Sequence, residues 1–208
     1  MSETEPAFDA IDLEPLDRQS RYKLFMGSIV PRPIAVVTTL SDAGVVNAAP
    51  FSNFMALSTE GSLLAFSVGA EPRSFDRCKD TLRNIRANGQ FVINFMSDER
   101  ARDIQSISRW RPPDVSEIAE VGWSLIESQR VSAPRVREAI IQIECNLHSI
   151  TDFGESRLVV GKALRFHARE GVVRDCKIDL GEYRPLGRLS GRLYCKLGAL
   201  IDGASSGD

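Results

Sequence analysis

Residues Pro31 to Ser58 read PRPIAVVTTLSDAGVVNAAPFSNFMALS, and this stretch decides the fold. The run Ile34 to Leu40 is almost wholly apolar and β-branched, which predicts a strand buried on both faces. Ser41-Asp42-Ala43-Gly44 follows with residues that tolerate turn geometry, so a second strand folds back as a hairpin. That second run, Asn47-Ala48-Ala49-Pro50-Phe51-Ser52-Asn53-Phe54, is too poor in large aliphatic side chains to read as ordinary core. Its small and hydroxyl side chains suit a strand along which a ligand lies.

Outward from this hairpin, the chain alternates strand and helix signals. Asp17 is placed to cap a helix over Arg18 to Met26 that stops at Gly27, with Tyr22, Phe25 and Met26 on its inner face. Gly61 to Gly69 reads as a third strand, and Glu71-Pro72-Arg73 opens a loop. Helical spacing of Leu82, Ile85 and Arg86 predicts a helix over Thr81 to Ala87 with a stop at Asn88-Gly89. Phe91 to Phe95 is the next strand, and Asp98 to Ile107 the next helix, its acidic start Asp98-Glu99 meeting the helix dipole. Arg109 to Trp123 is irregular, broken by Pro112-Pro113 and bordered by two tryptophans; it is a candidate lid. Two long β-like stretches close the pattern, Ala139 to Ile150 and Arg157 to His167, with Thr151 to Gly154 as their turn.

Strands outnumber helices and come as long antiparallel hairpins, so a closed or split barrel is the economical way to remove their edges. The fold class expected is mainly β, a barrel with flanking helices. Neither GxGxxG nor a P-loop occurs, so a dinucleotide fold is unsupported. The chain of 208 residues divides into an arm over 1–16, one domain over 17–200 and a disordered tail over 201–208.

A formal net charge of −2 gives no reason to expect nucleic acid or an anionic membrane as partner. Basic residues cluster only locally, in Arg130 to Arg137 and Arg184 to Lys196, as a solvated face or a docking patch for a phosphate-bearing nucleotide. The four cysteines, Cys78, Cys145, Cys176 and Cys195, form no CxxC pair and no zinc-ligand spacing, so free thiols and no metal are expected. The acidic start MSETEPAFDAIDLEP lacks the features of a secretory signal, and the expected location is the cytoplasm.

Three ordered motifs carry a resemblance: Pro31-Arg32-Pro33-Ile34, the Asn47-x-Ala49-Pro50-Phe51-Ser52 segment, and Lys79-Asp80-Thr81-Leu82-Arg83-Asn84-Ile85. The similarity runs on through Gly89 to Asn94 and closes at Arg184 to Tyr194, RPLGRLSGRLY. The chain resembles the flavin reductase-like, FMN-binding split-barrel family from about residue 20 to 198. That resemblance implies an antiparallel split barrel of Greek-key type, FMN as cofactor, and a homodimer in which two subunits build each site. It implies that Thr38, Thr39, Ser52 and Asn53 lie near the ribityl chain and phosphate, and that Arg188 and Tyr194 come near the flavin. Where members often read FFN after APFS, this chain has Asn53-Phe54-Met55, so Phe54 packs against the ring edge or the core.

The residues themselves speak to the same cofactor. Lys79 offers charge, Thr81 a hydroxyl, and the helix that starts there its free N–H groups, which together suit a phosphate. Ser67, at the end of the third strand, is a further polar candidate. Hydride transfer between nicotinamide and flavin needs stacked rings and no obligatory catalytic acid, so no catalytic residue is assigned. Of the two histidines, His148 comes before His167 as a ring neighbour. The reading that follows is an NAD(P)H:flavin reductase using NADH or NADPH and passing electrons to an oxygenase or other acceptor. Two alternatives stand beside it: an electron carrier holding FMN tightly and reduced by a partner protein, and a split-barrel relative using a deazaflavin, haem or pyridoxine phosphate.

Overall fold

The β-branched run after Pro33 forms β1 (Ala35–Leu40), which turns at Ser41 to Gly44 into β2 (Val46–Phe51). Gly44 takes a φ of 80° there, a conformation that favours glycine. The computed structural model describes residues 7–71, 78–201 and 203. Before the hairpin lies α1 (Arg18–Ser28), whose N-cap Asp17 accepts from the Ser20 amide; after it come β3 (Phe54–Ser58) and β4 (Leu63–Gly69). Next are α2 (Asp80–Asn88), ended by Gly89 in the left-handed region, β5 (Gln90–Phe95), a 3-10 turn over Asp98–Arg100, α3 (Ala101–Ile107) and α4 (Glu117–Glu120). A short pair, β6 (Leu125–Ile126) and β7 (Arg135–Val136), precedes the two long strands β8 (Ile141–Phe153) and β9 (Ser156–Ala168). The chain closes with β10 (Val173–Arg174), β11 (Lys177–Ile178), α5 (Leu180–Tyr183), β12 (Leu186–Arg188) and β13 (Tyr194–Lys196).

Seven strands make one antiparallel sheet in the order β2-β1-β5-β8-β9-β4-β3, in which β1 lies beside β5 and β4 beside β9 across long connections. Its two edge strands, β2 and β3, are joined by Ser52 and Asn53 alone. Three Cα steps span at most about 11 Å, so the sheet has to curl until its edges approach. The rings of Phe51 and Phe66, from β2 and β4, meet at 4.9 Å between centroids across that seam. The result is the mainly β split barrel that the strand pattern and the motifs implied.

The barrel interior holds Val37, Phe66, Val68, Phe91, Ile93 and Val159, plugged by Leu82 and Ile85 of α2. A second core lies outside the wall, where Val36 and Ala48 pack against Ile104, Ile107, Ile118 and Trp123. Strand β1 is therefore buried on both faces, as its composition predicts. At Gly161 a Cβ would stand 2.3 Å from the Phe91 ring, so glycine lets that ring lie against β9.

Several expectations are corrected. The segment from Asn47 is core in part: Ala48 and Phe51 are buried, one in each cluster, because α3 and α4 press close enough that a methyl group fills the space, whereas Pro50 and Ser52 are half-buried and Asn53 is exposed. The hairpin turn between the long strands sits at Gly154 and Glu155, with Thr151 to Phe153 kept in the strand by pairs such as Asp152 with Arg157. No residue of α1 is buried in the single chain; Tyr22 is 61% and Phe25 45% exposed. Trp123 is 5% exposed with its indole N–H donating to Asp103, so of the two tryptophans bordering the irregular segment only Trp110 adds exposed aromatic surface. The loop from Glu71 lies, beyond Glu71 itself, outside the described residues, as does most of the tail. No helix among the described residues is long and apolar enough to cross a membrane.

Candidate functional site

Two clefts adjoin where β2 meets α3, α4 and the closing β12–β13 hairpin. Lys79, Thr81, Asn47, Trp110 and Glu117 line the first; Arg32, Ser52, Arg188 and Tyr194 line the second. Pro50 and Ser108 border both, so the two form one groove along the edge strand.

The first cleft is built on the start of α2. Lys79 is the N-cap residue, its backbone extended and its side chain making no cap bond, and its ammonium lies 5.8 Å from the Phe51 ring centroid. Thr81 is held by a polar chain through the wall. Asn84 Nδ2 donates to Thr39 Oγ1 at 3.0 Å, and Asn47 Nδ2 donates to Thr81 Oγ1 at 2.9 Å. Because the Thr81 oxygen receives that bond, its own hydrogen is left to donate. Of the first-turn N–H groups of α2, that of Leu82 donates to Lys79 O at 3.0 Å, and those of Asp80 and Thr81 are left at the positive end of its dipole. A cation, a hydroxyl donor and amide donors thus converge in one place.

Glu117 faces the same cleft from α4, and its carboxylate accepts the Ala48 N–H at 3.0 Å. The bond satisfies an outward amide of the edge strand, which the sheet leaves unpaired. Burial pushes the Glu117 carboxyl above its ordinary range, with Asp80 acting the same way, against the Ala48 and Glu117 amides and Arg111. A raised folded value means that stability from this group is fully present below the ordinary carboxylate pKa and is lost as pH rises through the raised one. Glu117→Gln keeps the acceptor and removes the buried charge. Thermal melts should therefore show the variant at or above wild type at pH 8, with the difference closing toward pH 4; a variant less stable at pH 8 than at pH 4, relative to wild type, contradicts this.

In the second cleft Arg32 ties three segments together. Its Nη1 donates to Met26 O at 2.6 Å and Ile29 O at 2.9 Å, and its Nη2 to Leu189 O at 2.8 Å. Arg188 stacks on the Tyr194 ring at 4.5 Å, donates to the Tyr194 hydroxyl and to Gly191 O, and shares Gln105 with that hydroxyl. Burial raises the Tyr194 pKa, which Arg188 opposes. Gly187 packs where a Cβ would be 2.7 Å from both Pro31 and Cys195, so the closing hairpin lies directly on the PRP segment.

The other sequence-predicted residues stand elsewhere. Thr38 is buried, donating to Pro134 O at 2.6 Å and accepting from Asn94, and Thr39 is buried as the acceptor for Asn84. Asn53 is exposed, and its carbonyl receives the Ser67 N–H at 2.9 Å, continuing the β3–β4 ladder; neither side chain lines the groove. Phe54 packs on the barrel core, edge-on to Phe95 at 5.5 Å. His148 is exposed, and His167 lies 2.6 Å from Glu144. In the closing basic cluster, Arg184 pairs with Asp98 and Glu99, and Lys196 with Asp98. Sequence reasoning missed Arg32, Glu117 and the role of Asn47. Asn47 and Arg32 sit inside the quoted motifs, which was the available signal, whereas Glu117 lies in an irregular segment and gave none.

Residues 26–187 match the flavin reductase like domain, most of the chain's length. The chain belongs to the flavin reductase like family. Among solved structures of similar fold, nitrilotriacetate monooxygenase component B from Bacillus cereus is 33% identical, with a TM-score of 0.89 over 95% of this chain and 99% of that one. The 2-nitrobenzoate 2-nitroreductase NbaA of Pseudomonas fluorescens is 30% identical, with a TM-score of 0.82 over 96% of this chain and 100% of that one. A protein with a split barrel domain from Shewanella frigidimarina shares the fold at 18% identity, with a TM-score of 0.80 over 92% of this chain and 95% of that one. Membership in the family makes this chain an oxidoreductase of flavoprotein type.

Proposed function

We propose that the groove along β2 holds FMN and that the protein is an NAD(P)H:flavin reductase, taking electrons from NADH or NADPH and passing them to an oxygenase or another acceptor. The observation that carries the reading is the convergence of Lys79, the Thr81 hydroxyl and the start of α2, whose donors fit a phosphate in charge and in hydrogen-bond type. Ser52, shared Pro50 and the Arg188–Tyr194 pair then border the ribityl and ring end. Thr38, Thr39, Asn53 and Ser67 act from behind, holding Asn94, Asn84 and the start of the β3–β4 ladder in place. Bound flavin supplies the hydride-accepting ring. The chain's part is to bind and orient that ring, with Trp110 of the lid segment at the mouth of the cleft. The Bacillus cereus relative, named as a monooxygenase component, supports an oxygenase as the acceptor.

The working unit we infer is a homodimer acting in the cytoplasm. Phe8 is 86% exposed, and Ile11, Leu13, Leu24, Phe25 and Ile29 around α1 are also open, an apolar surface that calls for a partner. The purified protein should show flavin absorbance bands that bleach on anaerobic mixing with NADH or NADPH, and should sediment as a dimer. A protein that retains FMN yet is reduced by neither nucleotide would be a carrier instead, and a 23.0 kDa species with FMN bound would remove the dimer.

A further inference from the structure

Glu117 puts a carboxyl into the first cleft beside Lys79 and Thr81, although the residue is only 7% exposed. Its Oε2 accepts the Ala48 N–H, and among the described residues no lysine or arginine pairs with either oxygen. A charge there is held by backbone amides rather than by a cation.

The charged groups that line the cleft with it are balanced. Lys79 and Asp80 come from α2, and Asp80 is bonded by Arg83. Arg109 and Arg111 come from the segment after α3, and Arg111 is taken by Glu120 of α4 itself at 2.9 Å. Glu71 comes from beyond the end of β4, and β2 presents only neutral side chains, Asn47, Ala49 and Pro50. Three cations thus face three acids. A phosphate dianion adds two negative charges to that balance, and a like charge nearby disfavours the ionised form of a carboxyl. Burial of Glu117 acts in the same direction. A protonated carboxyl also gains an O–H, and so turns from an acceptor into a donor toward phosphate oxygens.

We propose that Glu117 couples flavin binding to proton uptake: its carboxylate takes one proton from solvent as the phosphate is seated, and the acid so formed donates its O–H into the cleft. The inference rests on the flavin reading of the groove, and adds that phosphate affinity is set by the protonation of an acid outside the three motifs. Linkage makes the effect reciprocal, so a proton favoured by the bound anion tightens that anion in turn. Affinity for FMN then falls as pH rises, by as much as about tenfold per pH unit for one proton.

Fluorescence titration of FMN from pH 5 to pH 9 tests this in wild type and in Glu117→Gln, which keeps an acceptor for Ala48 and cannot ionise. The ratio of wild-type to variant Kd should rise by about fivefold or more across that range. The second ionisation of the phosphate, at about 6, affects both proteins alike and drops out of the ratio. A ratio that changes by less than about twofold overturns the proposal. Calorimetry of wild type in buffers of different ionisation enthalpy counts the protons without any variant: between pH 6 and 8, FMN should bring uptake that riboflavin, which lacks the phosphate, does not. Equal uptake by the two overturns the proposal, and so does FMN-linked uptake that persists in Glu117→Gln, which would put the proton on the phosphate. Flavin fluorescence unchanged at every pH overturns the flavin reading itself, whereas FMN that binds with the same pH profile in both proteins overturns the coupling alone.

Discussion

Lys79→Ala combined with Thr81→Ala is expected to weaken FMN binding by about 100-fold or more in a fluorescence titration, since each lost charge-assisted or hydroxyl contact is worth about 1.5–3 kcal/mol at a desolvated phosphate. The expectation follows from how few groups in the groove suit a phosphate. Lys79 has no cap bond of its own, and the Thr81 oxygen already accepts from Asn47 Nδ2, which leaves the Thr81 hydrogen to donate. Thr81→Ser keeps the hydroxyl and should recover most of its share, whereas a general loss of structure would not be rescued by it. Wild-type affinity in the double variant would move the phosphate elsewhere in the groove, and the second cleft, with its two arginines, would be the place to look.

What the sequence made legible was whatever depends on neighbours along the chain. The β-branched run before Ser41, the Asp17 cap and the Gly89 stop are local, and the structure has each of them. The barrel itself was legible because hairpins bring their own partners. Contacts across the fold were not. That Ala48 is core depends on how closely α3 and α4 approach β2, and that Trp123 is buried depends on Asp103 lying under it, neither of which periodicity encodes. For the site, motif membership picked out Lys79, Thr81, Ser52, Arg188 and Tyr194, all of which line the groove, but motif membership equally picked out Thr38 and Thr39, whose hydroxyls are used up inside the wall. A strand shows its two faces by alternation, yet only the neighbouring strands and helices decide which face a ligand can reach.

Glu144 is the strongest case of a residue whose role is set by tertiary contact, and its removal should have the largest effect on stability. A glutamate in the run Ile140 to Cys145 reads as a solvent-facing position of a half-exposed strand, but the side chain is 0% exposed. Its carboxylate accepts the Gln129 N–H at 3.0 Å, the Arg130 N–H at 2.6 Å and a bond with His167 Nε2 at 2.6 Å, so it pins the loop between β6 and β7 to the barrel wall. Glu144→Ala leaves those buried groups without an acceptor. Breaking a buried, hydrogen-bonded charge in this way destabilises by about 3–5 kcal/mol, and for a chain of this size that is a fall in Tm of roughly 6–20 °C. The effect should also depend on pH. Burial works to raise the carboxyl pKa, but the Gln129 amide, His167 and the Arg130 amide outweigh it and hold the value below the ordinary range. A lowered folded value contributes stability that is present above the ordinary carboxylate pKa and lost as pH falls through the lowered one, so the gap between wild type and Glu144→Ala should be widest near neutrality and narrow in acid. Melting curves from pH 7 down to pH 3 test both parts; a gap under about 1 kcal/mol at pH 7, the level of an ordinary surface substitution, would mean that the loop is held by its other contacts, Ser132 to Gln90 foremost among them.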